Sequence, residues 1–234
     1  MKTIYIFDLY DTILKDVSFD FQRGMRYLYD RYFTLFCSWE QFAEYEDTFY
    51  PLYEKRKLDH SEVCLIRDEV LPLFEKFGAP VPSDLDELEF QIMDHMQEET
   101  VLAAVEETLL VLSERGHPMY ILSNAVFSAK SARRLLDRFG IGQYFRKIYS
   151  SADYGVRKPG RKFFDLAVED ILANHPEYKK EDILYMGNDY VTDVTGGTLA
   201  GLSTVWYNVN HLPNTDDLPV REIDDFRKLM KELL

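Results

Sequence analysis

Four short stretches of the 234-residue sequence end in polar side chains of complementary chemistry. Asp8, Asp11 and Thr12 follow the apolar run at residues 3–7 (TIYIF). Ser123 and Asn124 close the run at 118–123 (PMYILS), and Lys158, with Pro159 behind it, follows 147–150 (KIYS). Asn188, Asp189 and Asp193 follow 183–186 (ILYM). A carboxylate can attack phosphorus or carbon and form an ester, dividing one hard step into two easier ones. An ammonium and a hydroxyl can hold the transferring anionic group. Carboxylates and a carboxamide oxygen are hard donors that can hold Mg²⁺, which offsets their mutual repulsion.

These groups work together only if the runs bring them to one edge. Each run is short, apolar and rich in β-branched or aromatic residues, as a strand buried on both faces is. Residues 203–207 (STVWY) make a fifth. Helical patterns at 106–115 and 127–139 flank the second run, and those at 161–173 and 191–200 flank the fourth. Strands alternating with helices predict an α/β fold, a doubly wound parallel sheet with right-handed crossovers. Ligands of such sheets bind outside the carboxyl ends of the strands. From about residue 15 to 99 no strand is evident, and 19–36, 39–57, 61–77 and 84–98 carry helical periodicity. Four helices are therefore expected as an insertion after the first strand. The expected division is a core of residues 1–14 and 100–234 and a helical cap of residues 15–99. Residues 210–219 read as a loop before a last amphipathic helix from about Arg221.

Composition narrows the function. Hydrophobic residues make up 46% and charged residues 29%, with 16 Phe and 16 Tyr, enough for a sizeable core. The net charge of −14 repels phosphate backbones and anionic lipid, so neither nucleic acid nor a membrane surface is an expected partner. Two cysteines are too few for a disulfide framework, no apolar stretch is long enough to span a bilayer, and a cytoplasmic location is expected. The five histidines are scattered without metal-ligand spacing and read as surface or packing residues. The aromatic residues of the insertion read as core.

The motifs resemble a known family. FDLYDTI (7–13), ILSNA (121–125), SSADYGVRKPGRKFF (150–164) and MGNDYVTDVTGGTLAG (186–201) are similar, in order and spacing, to the four motifs of the haloacid dehalogenase-like hydrolases. The inserted helices stand where that superfamily places a helical cap. The resemblance implies that Asp8 is the nucleophile and that Thr12 supports the loop behind it. It implies that Ser123 binds the substrate phosphate or carboxylate beside the Asn124 backbone. Lys158 would neutralise the nucleophile and the transferring group, and Asp193 would orient the last motif. Mg²⁺ would be held among Asp8, Tyr10, Asn188 and Asp189, and Tyr10 would border the substrate.

Two positions depart from the family pattern. Its phosphatases carry a second Asp two residues after the nucleophile as general acid and base, where this chain has Tyr10, followed by Asp11. The last motif usually opens Gly-Asp, and here it opens Gly187–Asn188. Three readings stay open. The first is a Mg²⁺-dependent phosphatase acting on a small phosphorylated metabolite, with Asp11 standing in for part of the lost acid. The second is a metal-independent 2-haloacid dehalogenase, which also carries Tyr at that position but uses a cap arginine where this chain has Trp39 and Glu40. The third is a binding or regulatory protein on the same scaffold. Oligomeric state is not constrained.

Overall fold

The structure, a computed structural model, describes residues 3–233; Met1, Lys2 and Leu234, which belong to the expected core, lie outside the described residues. The run IYIF forms β1 (Ile4–Phe7), and its side chains alternate between two apolar layers. Ile4 and Ile6 pack into one cluster with Phe163, Phe164 and Ile171. Tyr5 and Phe7 pack into the other with Leu109, Leu135 and Phe226. A strand buried on both faces has no room for polar side chains, which is why it reads as an unbroken apolar run.

The chain leaves the core through β2 (Leu14–Phe19) and returns through β3 (Gln97–Val101). These two strands pair antiparallel, with Leu14 opposite Val101 and an irregularity between Asp16 and Ser18. The sequence showed no strand here, because LKDVSF and QEETV alternate buried and exposed residues and carry no apolar run. Between them lie α1 (Phe21–Tyr32), α2 (Trp39–Glu46), α3 (Tyr50–Asp59), α4 (Leu71–Phe77) and α5 (Leu85–Met96). The expected second helix is thus two. Pro51 lacks an N–H and restarts the helix at its first turn. Pro72 acts similarly at α4, whose preceding turn, Ile66–Val70, widens to a π-turn. Phe33, Phe42 and Phe74 form the fully buried centre of this insertion, as expected of its aromatics.

The core continues through α6 (Val105–Glu114), β4 (Met119–Ser123), α7 (Ala129–Arg138), β5 (Lys147–Ser150), α8 (Ser151–Tyr154) and α9 (Arg161–Asn174). It ends with β6 (Ile183–Gly187), α10 (Gly196–Leu199), β7 (Ser203–Tyr207), β8 (Arg221–Ile223) and α11 (Phe226–Leu233). The sheet order is β5-β4-β1-β6-β7-β8, with every recorded pairing parallel. Residues 221–223 add a sixth strand where a helix start was expected, since three residues are too few for a periodic signal. Strand order reverses at β1, whose neighbours are β4 and β6, so the crevice beyond β1 is the topological switch point.

The insertion also carries a buried acid. Glu69 is fully buried, accepts from the Tyr53 hydroxyl, and lies near Glu46. Burial first, with Glu46 adding to it, pushes its carboxyl up to about 8 against the lowering effect of the Tyr53 hydrogen bond. The unfolded carboxyl titrates near about 4.3. Between those values the folded chain binds the extra proton, so Glu69 makes stability fall as pH rises, by up to about 1.4 kcal/mol per pH unit. Glu69→Gln removes that titration. The melting temperature of the variant relative to wild type is expected to rise from about pH 5 to about pH 8.5. Parallel curves across that range would show that Glu69 does not titrate in this window.

Candidate active site

Asp8, Lys158 and Asp193, singled out beyond three of the four strand ends, meet around one ammonium. Lys158 is 2% exposed, and its Nζ donates to Asp8 Oδ1 at 2.6 Å, Asp193 Oδ1 at 2.7 Å and the Tyr185 hydroxyl at 2.9 Å. Three donors thus meet three acceptors, which leaves the ammonium fully satisfied without water. The Tyr185 hydroxyl in turn donates to Asp193 Oδ1 at 2.6 Å. Burial works against the charge on Lys158, but Asp193 and Asp8 outweigh it, and the amine holds its proton more tightly than a free lysine. For Asp8 burial is the largest influence. With Asp193 adding its charge, it pushes the carboxyl up to about 7 although Lys158 pulls the other way. Two carboxylates share one ammonium, so the pocket carries surplus negative charge that a cation would offset.

Each part of this hub has a local cause. Asp8 follows β1, and its N–H donates to Met186 O on β6 at 2.8 Å. The Thr12 hydroxyl lies 3.2 Å from Asp8 Oδ2 and 3.1 Å from Asn188 Oδ1, and it can donate to one at a time. Asp193 approaches the end of β6 so closely that a Cβ on Gly187 would sit 2.3 Å from its Cγ, so only glycine fits. Its Oδ2 accepts from the Asp189 N–H at 3.0 Å. The Asn124 side chain grips the Lys158 backbone from both ends. Its Nδ2 donates to Lys158 O at 3.0 Å and its Oδ1 accepts from Lys158 N–H at 2.8 Å. The side chain therefore sets the loop, and only the Asn124 backbone is left for a ligand. Ser123 Oγ, at the end of β4, is buried without a hydrogen-bond partner.

Three expectations change. Asp189 does not join the metal-facing set. Its Oδ1 accepts from Thr192 N–H at 2.6 Å and Thr192 Oγ1 at 3.0 Å, so it caps the turn that follows and stays exposed. The Tyr10 phenol accepts from Gln97 Nε2 at 3.1 Å, and burial raises its pKa, so it stays protonated and offers no metal ligand. Only the main-chain oxygen of Tyr10 can serve. Asp11 adopts a left-handed backbone (φ 55°), and its carboxylate pairs with Lys15 at 2.8 Å on the surface, away from the hub. It does not replace the missing acid.

Hard oxygen donors for a divalent ion are nevertheless present. Asp8 and Asn188 Oδ1 flank the same Thr12 hydroxyl, and one carboxylate plus neutral oxygens suits Mg²⁺, which keeps several waters of its own. Among the described residues no group of three or more His, Cys, Asp or Glu side chains is arranged to hold a metal ion.

A cleft of about 340 Å³ opens between the insertion and the core, walled by Tyr10, Phe19, Phe21, Tyr53 and Phe127. Phe19, Phe21 and Tyr53 are aromatics of the insertion that serve the cleft. Sequence reasoning missed Tyr185, whose place in a buried strand signals only packing. It also missed the stitching of insertion to core. Glu62 N–H donates to Gly155 O (3.1 Å), Arg157 N–H to His60 O (2.9 Å) and Leu65 N–H to Val126 O (3.0 Å).

Comparison with known proteins places the chain in a family. A family model described as haloacid dehalogenase-like hydrolase matches residues 5–207. The chain is similar to pyrimidine 5'-nucleotidase PynA of Streptococcus pneumoniae, 26% identical over 194 residues, covering 80% of this chain and 78% of that protein. It is also similar to YfnB of Bacillus subtilis, described as a HAD-hydrolase, 29% identical over 231 residues, covering 96% and 92%. A crystal structure of YfnB bound to magnesium superposes with a TM-score of 0.59 at 23% identity over 99% of this chain and 98% of that one. A 2-haloacid dehalogenase from Pseudomonas syringae superposes with a TM-score of 0.69 at 21% identity, covering 100% and 98%. At these identities the two structures speak to the fold alone. Among the described residues no helix is long and apolar enough to cross a membrane.

Proposed function

The chain belongs to the haloacid dehalogenase-like hydrolases, and on that premise we propose that it is a Mg²⁺-dependent phosphatase of a small phosphorylated metabolite. The observation that carries this reading is the buried Asp8–Lys158–Asp193 hub facing the same sheet edge as the unpartnered Ser123 Oγ. The nucleotidase relative supports a phosphomonoester substrate, and the oxygens of Asp8 and Asn188 that flank the Thr12 hydroxyl support the metal.

Lys158 holds Asp8 Oδ1 and the Thr12 hydroxyl lies beside Oδ2, so the Asp8 carboxylate is fixed in place as the attacking group. It forms a bond to phosphorus as the ester P–O bond breaks, and the leaving group departs as an alkoxide or phenolate that takes its proton from water. Water then cleaves the acyl phosphate and restores the carboxylate. Ser123 Oγ holds a phosphoryl oxygen through both steps, and the positive charge of Lys158 offsets that of the transferring group. Asp8, Asn188 Oδ1 and the main-chain oxygen of Tyr10 would hold Mg²⁺, which supplies positive charge against the crowded carboxylates and the phosphate. Asp193 positions Lys158 and carries no reacting atom.

In this reading residues 15–99 act as a cap that closes over the site and excludes water. The acidic chain has no nucleic acid or membrane surface as partner. The free thiols of Cys37 and Cys64 support a reducing cytoplasm. Hydrolysis of an aryl phosphate with Mg²⁺ and with EDTA tests the proposal. Turnover that requires Mg²⁺ is expected. Equal rates in EDTA would remove the metal from the account, and halide release from a 2-haloacid without any phosphatase activity would establish the dehalogenase instead.

A further inference from the structure

Glu62 is a buried carboxylate that the proposed chemistry does not use. Its side chain has no exposure, and it lies where the insertion touches the core. Arg56 Nη1, from α3 of the insertion, reaches Glu62 Oε1 at 2.8 Å, and Arg157 Nε, one residue before Lys158, lies 3.6 Å from Oε2. The Ser151 hydroxyl donates to Oε2 at 2.8 Å, and Val63 N–H to Oε1 at 3.1 Å. Glu62 is therefore fixed from four directions, and both guanidinium groups are turned by it to the wall of the cleft, which they line.

The charges around Glu62 do not cancel. Two guanidinium groups share one buried carboxylate, and the further acid acting on Arg157, Asp189, is exposed and screened by solvent, so the buried charge is positive in a chain whose net charge is −14. Arg56 Nε is buried without a hydrogen-bond partner. Burial, together with the charge of Arg56, holds Arg157 below the usual guanidinium range although Glu62 and Asp189 favour its charge. Asp16 lines the same cleft, but its charged neighbours are Asp11 and Lys15 rather than the arginines.

We infer that Arg56 and Arg157, clasped by Glu62, form a second oxyanion subsite, and that the physiological substrate carries, beyond its phosphate ester, a second anionic group on the organic half. Planar guanidinium groups suit carboxylate and phosphate alike. The aromatic wall beside them, with Arg56 lying 5.2 Å above the Tyr53 ring, accommodates an apolar or flat spacer between the two anions. The subsite exists only while the insertion sits on the core, since one arginine comes from each. This inference rests on the phosphatase reading for the first anion but not for the second.

The test compares phenyl phosphate with its 3- and 4-carboxy derivatives, which differ from it by one carboxylate. In the folded Asp8→Asn variant, calorimetry is expected to show at least one carboxylated ester binding about tenfold tighter than phenyl phosphate or more, of the size given by one charge-assisted hydrogen bond. Arg56→Met and Arg157→Met, each placed in that background, are expected to bring the ratio toward one. Removing both arginines would leave Glu62 buried without a cationic partner, so the triple variant Arg56→Met, Arg157→Met, Glu62→Gln, which removes all three charges together, is measured beside them. Raised salt should shrink the preference in the parent and leave the triple variant unaffected. A parallel series with a second phosphate in place of the carboxylate identifies which anion the subsite takes. Equal affinities for plain and doubly anionic esters in the parent would overturn the subsite, as would a preference that survives removal of both arginines. Loss of turnover in wild type with the binding preference intact would sink the phosphatase reading and leave the subsite standing.

Discussion

Asp8→Asn is expected to lower kcat for an aryl phosphate by about 10⁴-fold or more, as removal of a covalent nucleophile does in other hydrolases. The amide keeps the shape of the carboxylate and can still accept from Lys158, but it cannot attack phosphorus. The protein should not lose stability. Burial already disfavours the Asp8 charge, pushing its carboxyl up to about 7, so a neutral group there removes a cost that the folded state carries. Thermal unfolding of the variant beside wild type checks this half of the expectation. A melting temperature at or above that of wild type, with activity gone, separates chemistry from folding. Activity within tenfold of wild type would remove Asp8 from the mechanism.

Tyr10→Asp is expected to act in the opposite direction. The Tyr10 hydroxyl is held by Gln97, and burial keeps it protonated and a poor acid. Asp11 is turned to Lys15 by its left-handed backbone. No acid among the residues described here protonates a departing alkoxide. Placing a carboxyl two residues after the nucleophile supplies one, and general acid catalysis contributes about 10² to 10⁴ in rate. The gain should concentrate where it is needed. For an alkyl phosphate, whose leaving group is strongly basic, kcat is expected to rise about 10²-fold, whereas an activated nitrophenyl ester gains little. Equal gains on both esters, or none on the alkyl ester, would show that proton delivery does not limit this enzyme.

The hub was legible in the sequence because it sits at the ends of strands whose burial on both faces makes them apolar runs. Asp8, Ser123, Lys158 and Asp193 each follow such a run, and parallel strands carry their ends to one edge. The polar ribbon of β2 and β3 gave no such signal, since its less exposed positions are largely polar (Asp16, Ser18, Gln97 and Glu99) while Val17 and Phe19 are exposed. Residues 61–63 were read as helix, whereas the structure uses them to pair with the loop before Lys158. That pairing spans a long stretch of chain, and local periodicity does not encode it. The same distance hid Glu62, which as a lone acid reads as surface until Arg56, Ser151 and Arg157 surround it. Asp189 and Asp193 both read as site residues in the last motif. Backbone geometry separates them, one capping its own turn and the other meeting Lys158.

The central claim is that Asp8 carries the phosphoryl group. Wild-type protein mixed with excess aryl phosphate and Mg²⁺, quenched in acid during turnover and mapped by peptide mass spectrometry, tests it most directly. One phosphoryl group on the peptide containing Asp8, absent from Asp8→Asn, is the expected result. Steady phosphate release with no label on that peptide, or with the label on another residue, would contradict it.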